Sequence, residues 1–262
     1  MSKKARILLA VGIVMVLVVG CVSLSLYFAF QRVPDFYRRA IARSPEVQKE
    51  ASHQLVQQAT ALASDLHRRG RWQALFTEDQ INGWLAVDRV RHFPDLLPSE
   101  VHDPRIAIDE QEATIAFRYK SGALSTVFSF KFDLYLTSPN VVALRVRHAR
   151  AGSLPMPLAD VLRTIGQAAN EISVPIEWRQ VDGDPVALIT IPPPRDQGDR
   201  ELRLKAIELH SGKLYLSGTN LEEGELAEQP VDAPKGKSAA AARTPRLQVE
   251  TIGSASKKNR QR

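Results

Sequence analysis

From Leu124 to Thr137 apolar and polar side chains alternate almost without a break. Leu124, Phe128, Phe130, Phe132, Leu134 and Leu136 share one face, and Ser125, Ser129, Lys131 and Asp133 share the other. A period of two predicts a strand. At about 3.3 Å per residue it would extend about 45 Å, far beyond the usual five or six residues or so, which requires a twisted and curved sheet. "ATIAFRY" before it sets Ile115, Phe117 and Tyr119 on one face, and "NVVALRVRHAR" after it alternates Val142, Leu144 and Val146 with Arg145 and Arg147. The short Ser138-Pro139-Asn140 connection predicts an antiparallel meander with one buried and one wet face. Three or four later strands are predicted at "PIEWRQV", "PVALITI", "LRLKAIEL" and "KLYLSG", with Gly183-Asp184-Pro185 and Ser211-Gly212 as turns and "PPPRDQGD" as a surface loop.

Elsewhere the period is helical. Ala40, Ile41, Val47, Ala51, Leu55, Ala59, Leu62 and Leu66 recur mostly at three or four, predicting helix from Pro34 to about Leu75, divided at Ser44-Pro45. In "TEDQINGWLAV", Thr77 and Gln80 form a capping box that starts another helix, with Ile81, Trp84 and Leu85 on one side. A further helix is expected from Pro157 to Ile172, with Leu158, Val161, Leu162, Ile165 and Ala169 inward. The fold class is therefore α+β, with helices packed on a long, highly curved antiparallel sheet.

Ile7 to Phe30 holds no charged residue and as a helix would reach roughly 36 Å, enough to cross a hydrocarbon core of about 30 Å with some tilt. Two readings stand for its single cysteine. Val18-Val19-Gly20-Cys21 fits a permissive lipobox, which would make Cys21 the site of lipidation. Yet the apolar run continues to Phe30, where a cleaved lipoprotein should present a polar tether, and it exceeds a signal peptide's usual apolar length of about 7–15 residues. The expectation is an uncleaved transmembrane signal anchor. Arginines flank the far side as well as the near one, so charge does not set the orientation; an inside N-terminus and an extracytoplasmic domain follow from the usual behaviour of a first apolar segment. The organisation read from this is a basic N-terminus (1–6), an anchor (7–30), a helical stalk region (31–75), an α+β domain (76–219) and a disordered tail (220–262) poor in large apolar residues.

A formal charge of +6 changes this picture little, because much of the excess sits at the ends, in Lys3, Lys4 and Arg6 and in "KKNRQR". No basic stretch interleaves with stacking aromatics, so no nucleic-acid partner is expected. One cysteine allows no intrachain disulfide. His53, His67, His92, His102, His148 and His210 lack metal-ligand spacing, and no nucleophile-elbow, P-loop, dinucleotide or zincin motif occurs, so no metal, cofactor or catalytic residue is expected. Asp182-Gly183-Asp184 reads as a hairpin turn, and Glu78 and Asp79 as first-turn acids that complement a helix dipole. The stripe formed by Leu124, Phe128, Phe130, Phe132, Leu134 and Leu136 permits a packed core or the lining of an apolar-ligand groove.

"FTEDQINGWL" and "ALRVRHARAGSLPMPLADVL" resemble the YpmS family of bacterial proteins, which have one N-terminal membrane span and an extracytoplasmic domain of unknown function. The resemblance spans roughly residues 76–191 and rests on Thr77, Glu78 and Asn82 at a helix start, then on Gly152, Leu154, Pro155 and Pro157 at a strand-to-helix step. The layout is also similar to tubular lipid-binding domains. These resemblances imply a non-enzymatic, membrane-anchored envelope protein that binds lipid or another apolar ligand. An envelope scaffold recruiting protein partners through its domain or tail is the alternative.

Overall fold

The computed structural model describes residues 3–122, 124–157, 176–191 and 200–222. The chain divides into two units, 1–227 and 228–262, of which the second lies outside the described residues. The first is α+β.

Helix α1 (Lys3–Gln31) is long and apolar enough to cross a membrane, with a mean hydropathy of 2.5 over Gly12–Gln31. Its side chains from Gly12 to Phe28 are exposed. Helices α2 (Asp35–Ile41) and α3 (Pro45–Leu66) follow, divided at Ser44-Pro45 as their sequence predicts; Ser44 caps α3 and Pro45 takes its first turn. The predicted helix to about Leu75 stops short, however. Residues Gly70–Thr77 form strand β1, with Trp72 and Phe76 buried while Arg71, Gln73 and Leu75 are exposed. Glycine at position 70 adopts a φ of 125°, which a helix cannot continue through.

Helix α4 (Glu78–Ala86) begins on the predicted capping box: Gln80 N–H donates to Thr77 Oγ1 at 3.2 Å, and Thr77 N–H to Gln80 Oε1 at 2.9 Å. It lies close against α3, since a Cβ on Gly83 would fall 2.6 Å from the Gln48 carbonyl oxygen. A short α5 (Asp88–His92) then leads to the meander β2 (Val101–Ile108), β3 (Glu112–Ser121), β4 (Leu124–Ser138) and β5 (Val141–Ala151). Strand β6 (Leu154–Pro155) turns back on β5, and β7 (Ile176–Val181) with β8 (Asp184–Thr190) form a hairpin that adds β8 to β5. The resulting seven-stranded sheet runs β2-β3-β4-β5-β8-β7, with β6 on β5. Strands β9 (Arg200–His210) and β10 (Lys213–Glu222) join β1 in a three-stranded sheet, β1-β10-β9. Among the described residues every strand pairing is antiparallel. The helix expected from Pro157 to Ile172, the loop "PPPRDQGD" and most of the tail lie outside the described residues; β10 carries ordered pairing to Glu222, slightly past the expected boundary at Asn220.

The fifteen-residue β4 is the spine. Its register shifts against β5 between Lys131 and Phe132 and again between Leu136 and Ser138, and such bulges bend a strand. The core lies where the two sheets meet. Trp72, Val142, Leu202 and Leu204 pack with Leu62, Leu66, Leu134, Leu136 and Leu216, and beside them Ile108, Ala113 and Leu209 pack with Ile81, Phe132 and Leu134.

Two asparagine amides stitch these layers through backbone groups. Asn82 on α4 accepts from Ile106 N–H and donates to Ile106 C=O, both at 2.8 Å. Asn140, at the β4–β5 turn, accepts from Leu204 N–H at 2.7 Å and donates to Leu202 C=O at 2.5 Å, tying the large sheet to β9. Asn140 also holds a φ of 63°, which its short polar side chain tolerates better than most. Asn140→Gly should keep the turn and lose only the two amide bonds, costing about 2 kcal/mol. Asn140→Ala should cost about 1 kcal/mol more because a Cβ without the amide is strained there. Chemical denaturation of the detergent-solubilised chain measures both, and equal stability of the two variants with the wild type would refute the clamp.

Candidate functional site

At the C-terminal end of α1, β4 and the turn between β5 and β6 close on the helix. A helix end leaves carbonyl oxygens without intrahelical partners, and here the sheet supplies them. Ser153, just past β5, donates to the Ala29 oxygen through its backbone N–H at 2.8 Å and its hydroxyl at 3.0 Å. Thr126 on β4 donates its hydroxyl to the Phe30 oxygen at 2.6 Å. Gly152 stands between them with a φ of 62°, and a Cβ there would lie 2.3 Å from the Phe30 oxygen. The resemblance singled out Gly152 as a tight exit from a strand; its closer constraint is the backbone of α1.

Just beyond the joint, α2 lays Tyr37 on the sheet, fully buried with Ala116 and Val127 and flanked by Val33, Phe36 and Ile41. Burial, reinforced by Asp103, pushes the Tyr37 phenol up to about 12, against the lowering influence of Arg118 and Arg105. Burial also lowers the Arg105 guanidinium, although Asp103 and Tyr37 act the other way.

The stripe predicted on β4 divides into two parts. Phe132, Leu134 and Leu136 are taken up in the core between the sheets. Phe128 and Phe130 stay outside it, at the end of β4 that holds α1, and associate with Phe117 and Tyr119 of β3. Phe117 stacks on Phe130 at 5.7 Å and tilts against Phe128 at 5.9 Å, while Tyr119 meets Phe128 edge-on at 5.5 Å. All four rings are half-buried. Register explains the grouping, since Phe117 stands opposite Phe128 across the β3–β4 pair. Leu124 opens β4 at the same end, its side chain outside the described set.

Beyond the Tyr37 patch, the sheet's other face is polar. Lys131 pairs with Glu112, and Arg147 bridges Asp133 at 2.6 Å and Asp184 at 2.9 Å. Arg145 reaches Asp184 at 2.7 Å and Asp182 at 3.5 Å. Asp182 and Gly183 have φ of 53° and 83°, the paired positive values of a two-residue hairpin, so this acidic stretch is the turn its sequence predicts. An open cleft of about 970 Å³ adjoins this ladder, with Asp109, Glu208 and His210 on its far side. His210 there contacts Glu208 at 3.2 Å, and two of the cleft's acids, Glu112 and Asp133, are held in the ion pairs just named.

The resemblance motif proves structural where it is described. Besides the cap at Thr77 and the Asn82 clamp, Glu78 accepts from Ile108 N–H at 2.9 Å, so α4 satisfies the outer edge of β2. Leu154 and Pro155 form β6, Pro157 is exposed, and the helix it was expected to open lies outside the described residues. Cys21 is exposed, within the unbroken α1. Sequence reasoning missed Thr126 and Ser153, whose roles come from contacts between distant segments with no local signal; Tyr37, whose place just past the apolar run suits an interfacial aromatic belt, is instead fully buried on the sheet.

The fold and this joint define an α+β domain continuous with a long apolar helix. Comparison with protein-family models, with curated proteins and with solved structures finds no match.

Gly152→Ala should push the joint apart. Amide exchange at Ser153 and along residues 31–33 should quicken about tenfold, the factor given by about 1.4 kcal/mol of lost local stability; unchanged exchange would refute the close approach. The second expectation concerns Asp184. Burial alone would raise its carboxyl, but the bonds and charge of Arg145, then of Arg147, outweigh this and hold it below the usual carboxylate range. A depressed folded-state value adds stability above the unfolded value of about 3.9, and that stability is lost as pH falls through the folded one. Asp184→Asn should therefore be less stable than wild type at neutral pH, with the gap closing below about pH 4. Thermal unfolding across pH tests this, and a constant gap would rule it out.

Proposed function

We infer that this is a single-span, membrane-anchored protein whose extracytoplasmic domain binds lipid or another apolar ligand at the bilayer surface. The observation that carries the reading is the cluster of Phe117, Tyr119, Phe128 and Phe130. Four half-buried rings stand outside the core at the strand ends that grip the last turn of α1. Aromatic rings of this kind favour the membrane interface and also line apolar-ligand sites. The length and hydropathy of α1 support the anchor, and the bonding of Ala29 and Phe30 into the sheet supports an uncleaved one, with Cys21 as a residue within the span. The resemblance to the YpmS family supports the extracytoplasmic placement of the domain.

Organic extraction of the full chain, purified in mild detergent, should recover acyl lipid at a stoichiometry that washing does not remove. Phe117→Ala combined with Phe130→Ala should lower that yield about tenfold, since each ring contributes about 1 kcal/mol or more of apolar burial. A wild-type chain that is consistently empty would overturn the lipid-binding reading.

A further inference from the structure

A cavity of about 470 Å³ opens on the polar face of the seven-stranded sheet, under the segment that joins α1 to α2. Four basic side chains line it: Arg32, just past the end of α1, and Lys131, His148 and Arg150 from β4 and β5. The Ser129 and Ser153 hydroxyls lie among them. Across the β4–β5 pair, Lys131 stands directly opposite His148 and Ser129 opposite Arg150, so basic groups crowd one face of two neighbouring strands. The nearby carboxylates are occupied: Asp35, on the cavity wall, pairs with Arg38, and Glu112 pairs with Lys131. Arg32 and Arg150 form no ion pair with another described residue.

The shape and charge fit a phosphate group. Guanidinium forks can match its oxygens, and the Ser129 hydroxyl can donate to what remains. The place of the cavity selects the source. Arg32 follows directly on the end of α1, where a membrane-spanning helix would emerge among lipid headgroups. We propose that this cavity binds the phosphate of an anionic phospholipid in the leaflet that the C-terminal end of α1 reaches. The proposal rests on the membrane-anchored reading above. It adds an anionic-headgroup site on the opposite face of the sheet from the aromatic cluster.

Native mass spectrometry of the full chain in mixed micelles of phosphatidylcholine and phosphatidylglycerol tests it. The wild type should retain phosphatidylglycerol in preference. Arg32→Gln with Arg150→Gln should reduce that preference about tenfold or more. Arg71→Gln with Lys205→Gln, an equal charge change at exposed positions of the other sheet, should leave it intact. Arg32→Lys with Arg150→Lys, which keeps the charge, should retain most of it, and circular dichroism of each variant verifies folding. An absence of preference in the wild type, or an equal loss in both glutamine variants, overturns the proposal. So does stabilisation of the wild type, but not of the Arg32/Arg150 variant, by inorganic phosphate alone, which would assign the cavity to a free anion. The two readings fail separately. The Phe117/Phe130 variant should lose bound acyl lipid yet keep the headgroup preference, whereas a chain that does not co-sediment with vesicles would overturn both.

Discussion

Two carbonyl oxygens at the end of α1 set the terms for the rest of the molecule. That of Ala29 has only a 3.3 Å bond from Arg32 N–H within its own segment, and the sheet completes both it and that of Phe30 with the Ser153 N–H, the Ser153 hydroxyl and the Thr126 hydroxyl. A flexible linker would have let α1 and the domain reorient freely. Here the backbones approach so closely that only glycine fits at position 152. The hydrogen bond from Gly152 N–H to the Val127 oxygen, at 2.8 Å, keeps that glycine in line with β4. The first turns after the joint then have one place to go. They carry Tyr37 down onto Ala116 and Val127, so the seven-stranded sheet is a fixed continuation of the helix.

At the other end the same economy of backbone partners joins the two sheets. The edge of β2 would be open to pairing with a second chain, and α4 closes it with side chains in place of a strand. Glu78 takes the Ile108 N–H and Asn82 takes both groups of Ile106. The β9–β10 turn completes the link, since Gly212 N–H donates to the Ile108 oxygen and its own oxygen accepts from Glu78 N–H. Each bond adds only about 1 kcal/mol net, but breaking one leaves a buried polar group whose cost is larger. With the Asn140 bonds to Leu202 and Leu204, they tie together two sheets, neither able to bury its own apolar face.

How legible this was in the chain depended on the range of each interaction. The alternation along β4, the Thr77–Gln80 box, the proline start of α3 and the Asp182-Gly183 turn are local patterns, and each forms where its residues predict. Strand β1 is masked in the sequence because Ala59, Leu62 and Leu66 carry a helical period up to its start. Its own signal, Trp72, Ala74 and Phe76 facing one way, spans only three inward positions. Its partner is β10, the last strand described, and that pairing from Gly70–Asn220 to Thr77–Lys213 has no trace in local sequence. The site shows the same limit. The β4 stripe was visible as a single surface, yet what divides it is how far the second sheet reaches along it, covering Phe132, Leu134 and Leu136 and stopping before Phe130. Nothing in the sequence of β4 changes at that point.

Strand parity ties the two proposed binding features to one another. Phe128 and Phe130 face one way, and Ser129 and Lys131, their immediate neighbours, face the other. The rings and the basic cavity are therefore alternate residues of one strand segment, separated by no more than the thickness of the sheet. A phospholipid has the same pairing of an apolar and an anionic part. On the proposed reading, a rigid joint to α1 would hold both faces at the depth where those parts meet. A one-residue slip of β4 would exchange the faces, turning Lys131 toward the rings and Phe130 toward the arginines. The pairs Glu112–Lys131 and Asp133–Arg147 oppose such a slip, because they tie β4 to β3 on one side and to β5 on the other and both would break together. The charged face thus has a structural duty as well as the proposed recognition role. Lys131 belongs to both, but otherwise the duties divide: Glu112, Asp133, Arg147 and Asp184 form the ladder, while Arg32 and Arg150 take no part in it and are the residues left to meet an external anion.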